Sequence, residues 1–407
     1  MTTANELLVI GGGIGGLATA VAAAQTGRQV RVLEQSTEFS EIGAGLQLAP
    51  NATRILGRFG LLDQVIAAGV LPRRLVLADA LGGHELTHLD LSDFRQRYGA
   101  PYVVLHRSDL LDILVDACRR QGVALENSKH VTGIGNAADR VLVHCQDGSQ
   151  YEGFAAVGAD GLRSFVRTLM SDDEPVNSGF AAYRGAVPIE QATRTAQLAD
   201  VVAFIGPGLH FVQYPLRGGR MYNQVAVFRS PRYAAGHADW GTSEELDEVF
   251  SITCQHIRDA IPALWRHTHW PMYDREPLDN WITGRTVLLG DAAHPMLQYL
   301  AQGACQAIED AAVLAGALHR HAGAAGADPV SLGKALRAYQ DERIPRTARI
   351  QRAARVWGDI WHVDGLAKLL RDELLRQRQP DDHRHVTWLY RQNECSPATP
   401  MGTEGAG

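Results

Sequence analysis

Residues near the start of the chain have the types and spacing needed to bind a phosphate-containing ligand. The glycine-rich loop contains Gly11, Gly13, Ile14, Gly15 and Gly16, with the glycines at GxGxxG spacing. Gly11 permits a tight turn, Gly13 lets the backbone approach a pyrophosphate, and Gly16 allows a helix to pack closely on a strand. Glu34 follows a second apolar run, and its carboxylate can accept hydrogen bonds from both hydroxyls of an adenosine ribose. The pattern predicts a dinucleotide site.

The elements around this loop are those that must position such a ligand. The apolar run 6–10 predicts a strand, residues 17–24 predict a helix that Gly27 ends, and residues 29–33 predict a second strand. The loop would therefore present the N-terminal end of a helix, with its unpaired N–H groups and positive dipole, to a phosphate.

A second candidate carboxylate, Asp291, stands far along the chain. Residues 286–289 predict a strand that ends just before it, and residues 306–317 predict a helix. A carboxylate at the carboxyl end of a parallel strand faces the ligand crevice, where it can bind ribose or ribityl hydroxyls. The end of a helix beginning near Gly303 would suit the N1 and C2=O edge of a reduced flavin ring. The alternative is that Asp291 is an ordinary helix cap.

The intervening sequence predicts an α/β fold with an inserted sheet. Strand and helix alternate at the start, and short strand-like runs follow at 72–98. Residues 106–118 predict a helix for which Ser108 or Asp109 is the expected cap. Residues 180–232 are rich in β-forming runs separated by glycine and proline turns.

The composition excludes several classes of protein. The 407 residues are 45% hydrophobic and 21% charged, which predicts a large core in two or three subdomains. A net charge of −6 gives no electrostatic reason to expect nucleic acid. The sequence lacks a basic leader and a spanning run of ~18 apolar residues, so we expect a cytoplasmic location. The 5 cysteines form no CxxC pair, so we expect reduced thiols.

Three motifs together resemble the class A flavoprotein aromatic hydroxylases, which are single-component FAD monooxygenases. The motifs are the glycine loop with Glu34, the Asp160-Gly161 pair with Arg163 and Arg167, and residues 290–295 with Gly303. Within this family the chain most resembles the branch of salicylate hydroxylases and 3-hydroxybenzoate 6-hydroxylases, and the latter more closely. The resemblance implies a p-hydroxybenzoate-hydroxylase-like fold, tightly and non-covalently bound FAD, transient NADH, O2 as co-substrate and a homodimer.

The same resemblance implies the domain boundaries. An FAD-binding Rossmann-type domain would comprise residues 1–72, 99–175 and 274–350. A β-sheet substrate domain would comprise residues 73–98 and 176–273, and residues 351–407 would form a C-terminal helical tail.

The family motifs also assign cofactor contacts to residues of this chain. Glu34 would hold the AMP ribose, Arg107 would reach the FAD pyrophosphate region, and Asp160 resembles the family aspartate tied to flavin and nicotinamide handling. Asp160 could alternatively brace a turn. Asp291 would bind the ribityl chain. The flavin ring would be bordered by Leu300, Ala301 and Gly303.

The implied reaction proceeds through a flavin C4a-hydroperoxide, whose distal oxygen attacks an electron-rich ring carbon. A phenolate is a better nucleophile than a phenol, so a neutral histidine that accepts the phenol proton suits this chemistry. His210 stands where 3-hydroxybenzoate 6-hydroxylases have a catalytic histidine, and Gln298 would bond the same hydroxyl from the flavin side. Tyr214 would share a strand face with His210, and Tyr102 matches the family tyrosine that binds the substrate carboxylate.

The chain departs from the family pattern at two positions. Gln298 stands where most relatives have proline, which we interpret as a change in substrate recognition. Cys305 stands where most have asparagine, which puts a flavin contact by that side chain in doubt.

Other clusters predict no further chemistry. The pairs His267/His269 and His383/His385 lack a metal-binding pattern, and we expect solvated side chains and no metal. An arginine recurs at every third position from Arg343 to Arg355, which we interpret as a solvated face or dimer contact and less readily as a lipid-binding surface.

Two alternatives remain at this stage. Within the family, the rival is a salicylate 1-hydroxylase that decarboxylates its substrate to catechol, or a hydroxylase of another phenolic or heteroaromatic acid. Outside it, the rival is a flavin-binding regulator or carrier without turnover.

Overall fold

The computed structural model describes residues 6–39, 44–192, 199–322 and 328–391. In chain order, the β-strands of these residues are β1 (Leu7–Ile10), β2 (Val30–Leu33), β3 (Gly45–Leu48), β4 (Arg74–Asp79), β5 (Glu85–Asp90), β6 (Val103–His106), β7 (Ala124–Glu126), β8 (Val131–Asn136), β9 (Val141–Cys145), β10 (Gln150–Gly153), β11 (Ala155–Gly158), β12 (Val176–Pro188), β13 (Val201–Gly206), β14 (Leu209–Leu216), β15 (Met221–Arg229), β16 (Trp270–Asp274), β17 (Ile282–Thr283) and β18 (Thr286–Leu288). The α-helices are α1 (Ile14–Gln25), α2 (Pro50–Arg58), α3 (Leu62–Ala68), α4 (Phe94–Tyr98), α5 (Arg107–Arg120), α6 (Pro231–Ala234), α7 (Ser243–Phe250), α8 (Gln255–Ala260), α9 (Gly303–Ala322), α10 (Pro329–His362), α11 (Gly365–Arg376) and α12 (Thr387–Tyr390).

The first layer is a six-stranded sheet of order β17-β18-β11-β1-β2-β7. β1 pairs in parallel with both β2 and β11, and β11 pairs in parallel with β18. All four residues of β1 are buried, as expected for a parallel strand covered on both faces. Helices α1 and α9 contribute to the same hydrophobic core. The carboxyl ends of β1, β2, β11 and β18 consequently meet at one edge of the sheet.

The second layer is a seven-stranded sheet of order β16-β12-β15-β14-β13-β4-β5. Neighbouring strands run antiparallel except for β13 and β4. One face packs against α7 and α8 through an apolar cluster that includes Phe211, Leu246 and Phe250. The other face packs against the segment that precedes α9 and the end of α10, through a cluster that includes Tyr299 and Trp361. This second face therefore lies towards the N-terminal end of α9.

The arginine series on α10 corrects a sequence expectation. Arg343 is only 2% exposed and Arg346 is paired with Glu309, so a solvated face is the wrong interpretation for these two residues. Arg349 and Arg352 are exposed. Residues three apart on a helix are rotated by about 60° relative to one another. A spacing of three therefore winds around the helix and does not follow one face.

Two smaller expectations are also wrong. The cap of α5 is His106, whose ring nitrogen accepts a hydrogen bond from the Ser108 backbone N–H, and neither Ser108 nor Asp109 has this role. His383 is 4% exposed and hydrogen-bonded to Tyr98, so it is a core residue and not a solvated one.

Three findings concern the described ranges only. Cys118, Cys145, Cys254 and Cys305 are free thiols, and Cys395 lies outside these ranges. Within them, no three His, Cys, Asp or Glu side chains gather into a possible metal site. None of the helices described combines the length and apolar character that crossing a bilayer requires.

Candidate active site

The glycine loop between β1 and α1 is built by close backbone packing. Gly11 has φ of 106°, and a Cβ there would lie 2.3 Å from the Ala159 carbonyl oxygen at the end of β11. A Cβ on Gly16 would lie 2.0 Å from the Gly11 carbonyl oxygen. Gly13 is the N-cap of α1 and supplies no side-chain cap. The first N–H groups of α1 are therefore available to an anionic group, which fits a pyrophosphate.

Glu34 lies beside this loop. Its Oε2 accepts a hydrogen bond from the Gly12 N–H at 2.6 Å, and its Oε1 accepts one from the Ser36 N–H at 2.7 Å. The carboxylate is thus fixed at the end of β2 within reach of a nucleotide that occupies the loop.

Asp291 lies at the matching end of β18. It is exposed, and its Oδ1 lies 3.9 Å from the Cβ position of Gly303, the first residue of α9. The first turn of α9 contains no acidic residue. A Cβ on Gly15 would lie 3.0 Å from Leu289 and 3.2 Å from Ala307, so the glycine loop and the Asp291 turn are neighbours.

A buried ionic network holds the Asp291 turn in place. Asp310 Oδ2 accepts hydrogen bonds from the Gly290 N–H at 3.0 Å and from His294 Nε2 at 2.6 Å. Arg343 Nε donates to Asp310 Oδ1 at 2.6 Å. Although burial opposes ionisation, His294 and Arg343 lower the pKa of Asp310 to about 2. The carboxylate is therefore charged at neutral pH and links the turn before α9 to helices α9 and α10.

Two further predicted cofactor residues are Arg107 and Asp160. Arg107 begins α5. Burial lowers its pKa, and the negative charge of Asp291 acts in the opposite direction. Asp160 Oδ1 accepts from the Ser164 hydroxyl at 2.5 Å and Oδ2 from the Val166 N–H at 3.1 Å. Burial raises the Asp160 pKa despite these bonds. Its carboxylate braces the turn after β11.

His210 lies on β14, on the sheet face that meets the segment before α9. Its ring is 5.4 Å from Tyr299 and 5.2 Å from Trp361, measured between centroids. It is 1% exposed. Burial, reinforced by the neighbouring His362, lowers its pKa well below 6.5. The imidazole is therefore neutral at neutral pH and carries one nitrogen lone pair.

Gln298 begins the short 3-10 helix Gln298–Leu300, directly before the residue that contacts His210. Gln298 and Leu300 are half-buried. Ala301 follows with φ of 51° and ψ of 40°, a left-handed conformation that costs a non-glycine residue about 1–2 kcal/mol. Such outliers are typical of functional loops. The loop is fixed immediately before the N-terminal end of α9.

Tyr214 and Tyr102 lie where the two layers meet. A Cβ on Gly45 of β3 would lie 2.6 Å from the Tyr214 hydroxyl oxygen. The Tyr102 hydroxyl donates to Gln47 Oε1 at 2.7 Å. Burial is the main cause that raises the pKa of both tyrosines. The positive charge of Arg184 opposes this rise at Tyr214. The neighbouring Tyr214 adds to the rise at Tyr102. Both phenols remain hydrogen-bond donors at neutral pH.

Comparison with known proteins identifies this arrangement. A family model described as "FAD binding domain" matches residues 4–354. The chain is 39% identical over 394 residues to a 3-hydroxybenzoate 6-hydroxylase of Aquipseudomonas alcaligenes, covering 95% of this chain and 97% of that protein. It is 36% identical over 387 residues to a 3-amino-4-hydroxybenzoate 2-monooxygenase of Streptomyces cremeus, covering 95% and 94%. The chain belongs to the FAD-binding aromatic hydroxylases.

Solved structures agree with the family. The crystal structure of Klebsiella pneumoniae HpxO complexed with FAD and uric acid has a TM-score of 0.82 and 26% identity, covering 96% of this chain and 98% of that one. The expected flavoprotein aromatic monooxygenase, its p-hydroxybenzoate-hydroxylase-like fold and its FAD cofactor are confirmed. The glycine loop and the open N-terminal ends of α1 and α9 fit this cofactor.

In this aromatic hydroxylase the Cys305 side chain turns towards protein backbone. Its sulfur lies 3.4 Å from the Ala49 N–H nitrogen and 3.7 Å from the Gln47 carbonyl oxygen. Burial raises the pKa of the thiol to about 12. Cys305 is therefore an uncharged core residue that joins α9 to β3.

One residue that contacts His210 could not be predicted from the sequence. His362, the last residue of α10, lies with Nε2 2.9 Å from His210 Nδ1. The two histidines are separated by 152 positions, and His362 belongs to no motif. Only the tertiary structure brings it to the site.

Proposed function

We propose that the protein uses NADH and O2 to hydroxylate 3-hydroxybenzoate para to its hydroxyl, giving gentisate. The carrying observation is His210, a neutral imidazole buried beside the loop that contains Gln298. A base at this place suits a substrate whose reactivity depends on losing a phenolic proton. The Aquipseudomonas relative is named as a 3-hydroxybenzoate 6-hydroxylase, which supports the same substrate.

The cofactor would be held at the carboxyl edge of the six-stranded sheet, by segments 1–72, 99–175 and 274–350. The pyrophosphate would meet the N–H groups of the glycine loop, Glu34 the AMP ribose, and Asp291 the ribityl chain. Bound FAD, once reduced by NADH, supplies activated oxygen for transfer to the aromatic ring. The full proposed set is Gly11, Gly13, Ile14, Gly15, Gly16, Glu34, Arg107, Asp160, Asp291, Leu300, Ala301 and Gly303.

The residues of the chain would bind and prepare the aromatic acid. The Tyr102 hydroxyl would donate a hydrogen bond to the substrate carboxylate in place of its present bond to Gln47. Tyr214 would line the same pocket. At the other end of the ring, His210 would accept the phenolic proton and Gln298 would bond the phenolic oxygen. Loss of that proton places electron density at the ring carbon para to the oxygen.

The product decides the proposal. The purified FAD-loaded protein should be given NADH with 3-hydroxybenzoate, salicylate or 3-amino-4-hydroxybenzoate, and the products separated by chromatography. Gentisate from the first acid is the expected result. Catechol from salicylate as the main product would establish the decarboxylating alternative. If none of the three acids changes the rate of NADH oxidation, hydroxylation of all three is contradicted.

The proposed base has its own test. His210→Ala should lower kcat by about 10²–10⁴-fold, the range for loss of a general base, while the absorbance ratio of bound flavin to protein stays at the wild-type value. Equal losses of turnover and flavin would show that His210 is structural. Size-exclusion chromatography with light scattering tests the homodimer that we also propose.

A further inference from the structure

The partner of His210 comes from a part of the chain outside the flavin-binding segments. His362 ends α10, and its carbonyl oxygen accepts the Gly208 N–H at 3.1 Å, which fixes the helix end to the turn before β14. Phe180 stacks on the His362 ring at a centroid distance of 4.6 Å and an interplanar angle of 23°. The Tyr299 ring packs edge-on against His362 at 5.4 Å. The imidazole is therefore held in one orientation.

The two rings share one hydrogen bond. His210 Nδ1 lies 2.9 Å from His362 Nε2, and each neutral imidazole carries one N–H and one lone pair. If His210 donates at Nδ1, its Nε2 has the lone pair that a base requires. If His210 accepts at Nδ1, its Nε2 carries hydrogen and cannot accept a proton. The direction of this bond decides whether His210 is a base.

We propose that His362 is a positioning residue of the hydroxylase, which accepts the Nδ1–H of His210 and thereby keeps the His210 Nε2 lone pair available to the substrate hydroxyl. This inference rests on the proposed function. When the phenolic O–H bond breaks, the proton forms an N–H bond at His210 Nε2, and the Nδ1–H···Nε2 bond to His362 becomes charge-assisted and stronger. The arrangement follows the general pattern of a catalytic base oriented by a third group.

Burial keeps both rings neutral before substrate binds. Burial is the main cause that lowers the pKa of His362 to about 3, and the positive charges of Arg229 on β15 and Arg371 on α11 add to it. Arg371 is itself paired with Asp372. Tyr299 on the facing loop has a pKa raised by burial and is uncharged. A neutral His362 is able to accept the hydrogen bond, and a protonated one is not.

Two substitutions separate this role from simple packing. His362→Leu fills the space without an acceptor, whereas His362→Gln can place its amide oxygen near the former Nε2. The matched control is His256→Gln. His256 contacts Gln213 at 2.6 Å, and Gln213 lies on the opposite face of β14 from His210.

We expect His362→Leu to lower kcat about 10–100-fold, the range for loss of a residue that orients a ligand or base, with KM within about twofold and flavin content unchanged. The pH at which bound 3-hydroxybenzoate ionises, read from its phenolate absorption in the complex, should rise. His362→Gln should recover most of kcat and the wild-type pH profile. Equal loss of kcat in the Leu and Gln variants, or wild-type values and pH profiles in both, overturns the proposal, as does an equal effect of His256→Gln.

A direct measurement depends neither on the folding of the His362 variants nor on turnover. The ¹⁵N spectrum of histidine-labelled wild-type protein with FAD, assigned by comparison with His210→Ala, reports which nitrogen of His210 carries hydrogen. Hydrogen at Nδ1 supports the proposal and hydrogen at Nε2 overturns it. Failure of the wild type to form gentisate would overturn the proposed function, and the spectrum would still decide the tautomer.

Discussion

Replacing Arg343 by methionine should destabilise the protein by about 3 kcal/mol. Its guanidinium is buried and bonds Asp310 Oδ1 at 2.6 Å, Glu309 Oε2 at 2.5 Å and Gln306 Oε1 at 2.7 Å. Methionine preserves most of the volume but leaves the carboxylates without this cation. Breaking a buried ion pair from one side costs about 3–5 kcal/mol.

The lower end of that range applies because each carboxylate retains other partners. Asp310 still accepts from His294 and the Gly290 N–H, and Glu309 still pairs with Arg346. The same contacts predict a second effect, since loosening Asp310 loosens the turn that precedes Asp291. The variant should therefore also lose FAD more readily on dilution.

Urea unfolding followed by tryptophan fluorescence and circular dichroism measures the first effect, and flavin fluorescence released on dilution measures the second. Arg352→Met is the matched control, because Arg352 lies on the same helix and is exposed. Its free energy of unfolding should stay within about 0.5 kcal/mol of the wild type. An Arg343→Met variant that is equally close to the wild type would refute the reasoning.

Two further predictions concern the surroundings of Tyr214 and the buried carboxylates Glu309 and Asp310. Gly45→Ala places a Cβ 2.4 Å from a ring carbon of Tyr214, so we expect a several-fold higher KM for the aromatic acid with unchanged flavin content. Gly57→Ala, where the nearest atom is 3.6 Å away, is the control, and equal KM values in both variants would contradict the prediction. Glu309 and Asp310 have pKa values lowered to about 2 from 4.5 and 3.8, so their stabilisation is complete above about pH 4.5 and is lost as the pH falls towards 2. Urea unfolding between pH 7 and 3 should show this loss, and a constant free energy of unfolding would exclude it.

The glycine loop and the turn at Asp291 were predictable because their signals are local in the sequence. Strand, glycine turn, helix and acid follow one another within the first 34 residues. The glycines are required by close packing inside the loop itself, because a Cβ at Gly11 or Gly16 would clash with backbone atoms. Asp291 follows its strand in the same way. Periodicity and turn chemistry are sufficient for such elements.

The surroundings of His210 were only partly predictable because its contacts are distant in sequence. The strand that carries His210 could be identified from its β-forming residues between glycine and proline turns, but its partner on α10 could not. Arg343 shows the same limit: its charge and spacing indicated a solvated residue, whereas the structure buries it among carboxylates from α9. Ionic pairing in the core overrides the surface preference of a charged residue.

The single helix α10 has a consequence for how motion spreads through the molecule. It carries Arg343, which clamps the turn before Asp291, and also His362, which bonds His210. At about 1.5 Å per residue, these two side chains are separated by roughly 28 Å along the axis. Because both attachments lie on one continuous helix, a shift of that helix would displace the Asp291 turn and His210 together, so the motions of these two places should be correlated.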